Sequence, residues 1–177
     1  FGMTELAPVG FVIPVDRDDI PLRSVGLLLP NQQCKIVDPA TGAEIDTFGE
    51  DQQTEPGELW VKGPNVMLGY LNQAEATAQT IDSDGFLHTG DVAVRHSGGW
   101  YTIVDRVKEL IKYKGYQIAP AELEALLLSH PDVADVAVIG VRTDDSEEVP
   151  KAFVVPAAGS HLSADDVIAF VAANPGP

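Results

Sequence analysis

The stretch Asp105-Arg106-Val107-Lys108-Glu109-Leu110-Ile111-Lys112-Tyr113-Lys114-Gly115-Tyr116-Gln117-Ile118-Ala119-Pro120-Ala121-Glu122-Leu123-Glu124 decides how the chain is read. Arg106, Lys108, Lys112 and Lys114 place four of the chain's eleven cations within nine residues. The rest of the chain is strongly acidic, so this cluster marks an anion site better than it marks a solvated face. Pro120 suits the first position of a helix, and Leu123, Leu126 and Leu127 follow at helical spacing.

Downstream, His130-Pro131 ends that helix, and two β-branched runs follow at Val133–Val141 and Lys151–Val155. Ser163 with Asp166 opens a last amphipathic helix through Val167, Ile168, Phe170 and Val171. Helix, strand, strand, helix is an α/β pattern. Upstream the pattern is β-rich. Val25–Leu29, Gln33–Val37 and Glu58–Lys62 read as strands, and Asp38-Pro39-Ala40-Thr41-Gly42 as a turn. Ser97-Gly98-Gly99 joins two further strands as a hairpin. Between them, Asn72 to Ile81 reads as a helix, with Asn72 as N-cap and Glu75 completing a capping box. The change of character places a domain boundary between residues 104 and 105, giving segments 1–104 and 105–177.

Composition bounds the function. An apolar fraction of 45% in 177 residues supports a folded core. The net charge of −16, from 27 acidic and 11 basic residues, disfavours nucleic acid and anionic membrane as partners. No apolar run reaches the roughly 18 residues of a transmembrane segment. Cys34 is the only cysteine, so no intrachain disulfide forms.

Two shorter motifs carry chemistry. Phe1-Gly2-Met3-Thr4-Glu5 offers an aromatic face, a close-approach glycine, a hydroxyl and a carboxylate suited to Mg²⁺. Asp91, closing Thr89-Gly90-Asp91, can accept both hydroxyls of a ribose. An ordinary strand-to-loop junction and an ordinary Asp turn explain the same residues on composition alone.

With the stretch from Asp105 to Glu124 beside them, these motifs resemble those of the adenylate-forming superfamily, in its 4-coumarate–CoA ligase and luciferase-like branch. Phe1–Glu5 is similar to its aromatic-Gly-Met-Thr-Glu motif, Gly57-Glu58-Leu59 with Gly69-Tyr70 to its GEL…GY segment, and Thr89-Gly90-Asp91 to its TGD motif. The resemblance implies a mixed α/β fold, with the distal, partly barrel-like β portion of the large AMP-binding domain followed by an incomplete small α/β domain. It implies an acid–CoA ligase acting in two steps on a small carboxylic acid, ATP with Mg²⁺, and CoA.

It also assigns residues. Phe1 would stack on adenine, Thr4 would bond the α-phosphate, and Glu5 would hold Mg²⁺. Asp91 and Arg106 would hold the ribose, with Lys108 at the hinge. Lys112 and Gln117 would act on the adenylate, Lys114 and Gly115 would meet CoA, and Gly2, Pro8 and Val9 would line the acyl pocket. Leu6-Ala7 stands where plant coumarate ligases commonly have Ala-Gly, which leaves the acid open. Phe1 replaces the commoner Tyr, keeping the stacking face and losing a hydroxyl.

The family's phosphate loop and its C-terminal lysine segment do not occur in these residues, so the remainder of a longer chain is expected as their partner. Adenylation by these residues alone is not expected. A peptide-synthetase adenylation domain and a non-catalytic nucleotide-binding module are the alternatives. Tyr113-Lys114-Gly115-Tyr116-Gln117 weighs against the first. The resemblance implies a cytoplasmic or peroxisomal location.

Overall fold

A computed structural model describes residues 1–114, 116–143 and 148–174. They divide into two compact units, Phe1–Val107 and Lys108–Pro177. Each has its own core.

In the first unit, an antiparallel sheet runs in the order β3 (Gln33–Val37), β4 (Gly57–Lys62), β5 (Leu87–Arg95) and β6 (Tyr101–Arg106). Strand β4 alternates strictly, burying Gly57, Leu59 and Val61 while Glu58, Trp60 and Lys62 stay half-exposed. That period of two is what a sheet with one buried face requires. The hairpin read at Ser97–Gly99 joins β5 to β6, with Gly99 at φ +89° and the His96 N–H bonded to the Trp100 carbonyl at 2.9 Å. The turn after β3 is organised by Asp38, whose carboxylate accepts from the Ala40 N–H at 2.8 Å and the Thr41 hydroxyl at 2.6 Å.

The strand read at Val25–Leu29 shortens to β2 (Leu27–Leu28), paired with β1 (Phe11–Val12). Gly26 is the reason. It sits at φ +85°, where a Cβ would meet the Val12 carbonyl oxygen at 2.2 Å; its carbonyl accepts the Tyr101 N–H at 3.0 Å, while the Val25 N–H donates to the Tyr101 carbonyl at 2.9 Å. The β1–β2 pair is thereby joined to the edge of β6. Leu6, Phe11, Ile36, Leu59, Val61, Leu87, Ala93 and Tyr101 fill the space between as one buried cluster.

Helix α1 (Ala74–Thr80) lies inside the stretch read as helical, but the expected capping box is not there. Asn72 adopts φ +57° and the N-cap is Gln73, with no side-chain cap. Asn tolerates the left-handed region better than other non-glycine residues, and here that property outweighs its capping ability.

The second unit begins with the hairpin β7 (Ile111–Tyr113) and β8 (Tyr116–Ile118), then α2 (Pro120–Leu128). An antiparallel pair, β9 (Val133–Arg142) and β10 (Glu148–Pro156), leads to α3 (Ala164–Ala173). Pro120 starts α2, as its fixed φ and missing N–H favour. Ser163 and Asp166 form a reciprocal capping box at the start of α3. Ile111, Leu127 and Val138 form the buried core, with Ile118, Leu123, Val167, Phe170 and Val171 packed around it. Ile168, read with that apolar face, is 66% exposed. Among the described residues, no helix is long and apolar enough to cross a membrane.

Candidate nucleotide site

Asp91 and Arg106 are direct partners across β5 and β6, with the guanidinium Nε 3.3 Å from the carboxylate. The Asp91 side chain is largely buried, whereas that of Arg106 is 61% exposed. Asp105 is buried, and its carboxylate accepts the Arg106 N–H at 2.7 Å, fixing the chain where Arg106 leaves the sheet.

Behind Asp91, the Thr89-Gly90 segment, where β5 bulges against β4, is held from β4. The Thr89 hydroxyl donates to the Leu59 carbonyl at 2.8 Å and accepts the Asp91 N–H at 3.1 Å. Glu58 uses both carboxylate oxygens, taking the Gly90 N–H at 3.0 Å and the Trp60 indole N–H at 2.8 Å. Gly90 sits at φ +73°, a conformation that glycine reaches without a steric cost.

Thr4 and Glu5 lie on a single 3₁₀ turn, Thr4–Leu6. The segment after β4 clasps it. Asn65 donates its side-chain amide to the Leu6 carbonyl at 2.6 Å, and the Met67 N–H bonds the Glu5 carbonyl at 2.8 Å. The Tyr70 hydroxyl donates to the Glu5 carboxylate at 2.8 Å. That bond is the main reason the phenol's pKa is raised above its usual value. Thr4 is exposed, and Phe1 is half-buried with its ring edge-on to Phe11 at 5.9 Å. Gly2, Pro8 and Val9 come together where Gly2 bridges Val9, and a Cβ on Gly2 would meet the Pro8 carbonyl oxygen at 1.9 Å. Backbone crowding alone therefore requires glycine there.

In the second unit Lys108 is exposed at the first position. Lys112 and Gln117 are cross-strand partners on β7 and β8, both exposed. The Lys112 N–H bonds the Glu148 carboxylate at 2.9 Å. Lys114 takes φ +48° in the turn, its ammonium 5.0 Å from the centre of the Tyr113 ring. Gly115 lies outside the described residues. A groove of about 790 Å³ runs along β8 and α2, lined by Tyr113, Tyr116, Gln117, Ile118, Glu122 and Leu126 among others.

Residues 1–71 match the family model of the AMP-binding enzyme, and residues 122–177 match that of the AMP-binding enzyme C-terminal domain. The chain belongs to the AMP-binding enzyme family. Probable 4-coumarate–CoA ligase 1 of Dictyostelium discoideum is 54% identical over 155 residues, which is 88% of this chain and 27% of that protein. For 4-coumarate–CoA ligase 1 of Arabidopsis thaliana the identity is 48% over 174 residues, covering 97% of this chain and 30% of the relative. The ATP-bound crystal structure of MatB from Rhodopseudomonas palustris superposes with a TM-score of 0.84 at 33% identity, over 99% of this chain and 33% of that one. The chain thus spans about 30% of the length of the curated relatives it matches.

Glu58 and Tyr70 enter the sequence reading only as members of the GEL…GY segment, with no role of their own. Glu58 supports the β5 bulge before Asp91 from the start of β4, and Tyr70 supports Glu5 from the segment after it. Both contacts bridge segments far apart in sequence, so only the glycines around them gave any local signal. No group of three or more metal-ligating side chains occurs among the described residues. One carboxylate at Glu5 nevertheless suits Mg²⁺, which commonly takes one or two carboxylates and completes its shell with water and substrate phosphates.

Proposed function

We propose that this chain is the nucleotide-site and hinge portion of an ATP-dependent carboxylic acid–CoA ligase. In the first step a carboxylate oxygen attacks the α-phosphorus of ATP, the bond to the β-phosphate oxygen breaks, and pyrophosphate leaves. In the second step the CoA thiol attacks the acyl carbon, loses its proton, and AMP departs. The observation that carries the reading is the Asp91–Arg106 pair, set beside a β5 bulge anchored by Glu58, in a chain whose relatives are named CoA ligases.

Asp91 accepts the ribose hydroxyls, and Arg106 donates to the same sugar while neutralising Asp91. Phe1 offers an aromatic face to adenine, and Thr4 donates its hydroxyl to the α-phosphate. Glu5 would hold Mg²⁺, and the ion would supply positive charge against the transferring phosphate. Lys112 and Gln117, adjacent across β7 and β8, reach the adenylate together. Lys108 begins the second unit, where a hinge lets that unit present one set of groups in each step. Lys114 and Gly115 meet CoA, and Gly2, Pro8 and Val9 border the acyl group.

The names of the relatives favour thioester formation over a peptide-synthetase adenylation domain or a non-catalytic nucleotide-binding module. A panel of aromatic and medium-chain acids, incubated with ATP, Mg²⁺, CoA and the native polypeptide, tests the choice by mass spectrometry. A CoA thioester of at least one acid supports the ligase. AMP binding with no thioester and no pyrophosphate release from any acid would favour the binding module.

A further inference from the structure

The geometry points to Tyr70 as a positioning residue for the Glu5 carboxylate, set by helix α1; the inference rests on the proposed role of Glu5 as Mg²⁺ ligand. The phenol O–H donates to Glu5 Oε1 at 2.8 Å, and the second carboxylate oxygen would be the one offered to a cation. The fixed bond also holds one rotamer of a flexible side chain on a turn whose backbone is already clamped through Met67 and Asn65.

Tyr70 is itself held by α1. Its N–H donates to the Thr77 hydroxyl at 2.9 Å, and that hydroxyl donates to the Gln73 carbonyl at 2.9 Å. The approach of Gly69 to Thr77 is close, because a Cβ there would lie 2.7 Å from the Thr77 methyl. A seven-residue helix with no buried residue thus has a defined task, which its packing alone does not explain. The chain of contacts runs from Thr77 to Tyr70 to Glu5.

The test uses Tyr70→Phe in the native polypeptide, with Thr77→Val as the second variant because it loosens Tyr70 without altering the phenol. Calorimetry measures the affinity for AMP without metal and for ATP with Mg²⁺. For Tyr70→Phe, Mg²⁺–ATP affinity should fall about threefold to tenfold while metal-free AMP affinity stays within twofold. Thr77→Val should lower Mg²⁺–ATP affinity by less and likewise leave metal-free AMP affinity within twofold. The same split between the two ligands would not arise from general loosening, which weakens both. Equal losses for the two ligands, or no loss for either, would overturn the positioning role while leaving the nucleotide site intact. Absence of AMP binding in the unsubstituted protein would instead overturn the reading of the site on which the inference rests.

Discussion

Asp91 and Arg106 stand opposite each other at the end of the β5–β6 ladder, 3.3 Å apart, one carboxylate mostly shielded and one guanidinium mostly in solvent. A charge pair so exposed on one side contributes little to folding, commonly below about 1 kcal/mol. Arg106→Ala should therefore change unfolding free energy in urea by less than about 1 kcal/mol. AMP affinity should drop about tenfold or more with either Arg106→Ala or Asp91→Ala, since in the proposed site each would supply a charge-assisted hydrogen bond to the ribose. Equal effects on folding and binding would argue that the pair is structural.

Glu58 should behave differently. Its carboxylate serves two donors, so Glu58→Ala leaves the Gly90 N–H and the Trp60 indole N–H without their partner. The expected loss is about 1–3 kcal/mol in chemical denaturation, with AMP binding weakened because the β5 bulge before Asp91 is released. Glu58→Gln keeps one acceptor oxygen and should retain part of both properties.

Two glycines give a contrast. Gly90 has open space around its missing Cβ, so Gly90→Ala meets only the strain of φ +73°, about 1–2 kcal/mol. Gly2→Ala would drive a methyl group to 1.9 Å from the Pro8 carbonyl oxygen, so backbone must move. Thermal unfolding should show the larger destabilisation for Gly2→Ala, although Gly2 is exposed.

Helix α2 and helix α3 were legible because their signals are local. Pro120 and the Ser163–Asp166 box act within one turn of the residues they organise. Strand β3 matched its reading residue for residue, since an apolar run followed by an Asp turn leaves few alternatives. Asn72 misled because one residue type suits both an N-cap and a left-handed bend, and the choice rests on the surrounding fold. The support of the site was not legible. Glu58 meets Gly90 across 32 residues and Tyr70 meets Glu5 across 65, and neither distance leaves a periodicity in sequence.

His96 supplies a pH prediction. Burial, reinforced by the Arg23 charge, holds its pKa below the usual 6.5, and its ring Nε2 lies 3.0 Å from the Thr102 hydroxyl. The unfolded chain then binds the proton more readily than the folded one, so folding stability rises with pH across the window below 6.5. The contribution is full above that value and is lost as pH falls toward the folded pKa. Urea midpoints between pH 7 and pH 5 should show this decline, and His96→Gln should flatten it.

The most direct measurement is acid-dependent exchange of labelled pyrophosphate into ATP by the native polypeptide, with and without Asp91→Ala. An acid–CoA ligase should exchange only when a suitable carboxylic acid is present, without CoA, and Asp91→Ala should reduce the rate by about tenfold or more at subsaturating ATP. Exchange that is absent with every acid tested, or present but indifferent to Asp91, would contradict the account.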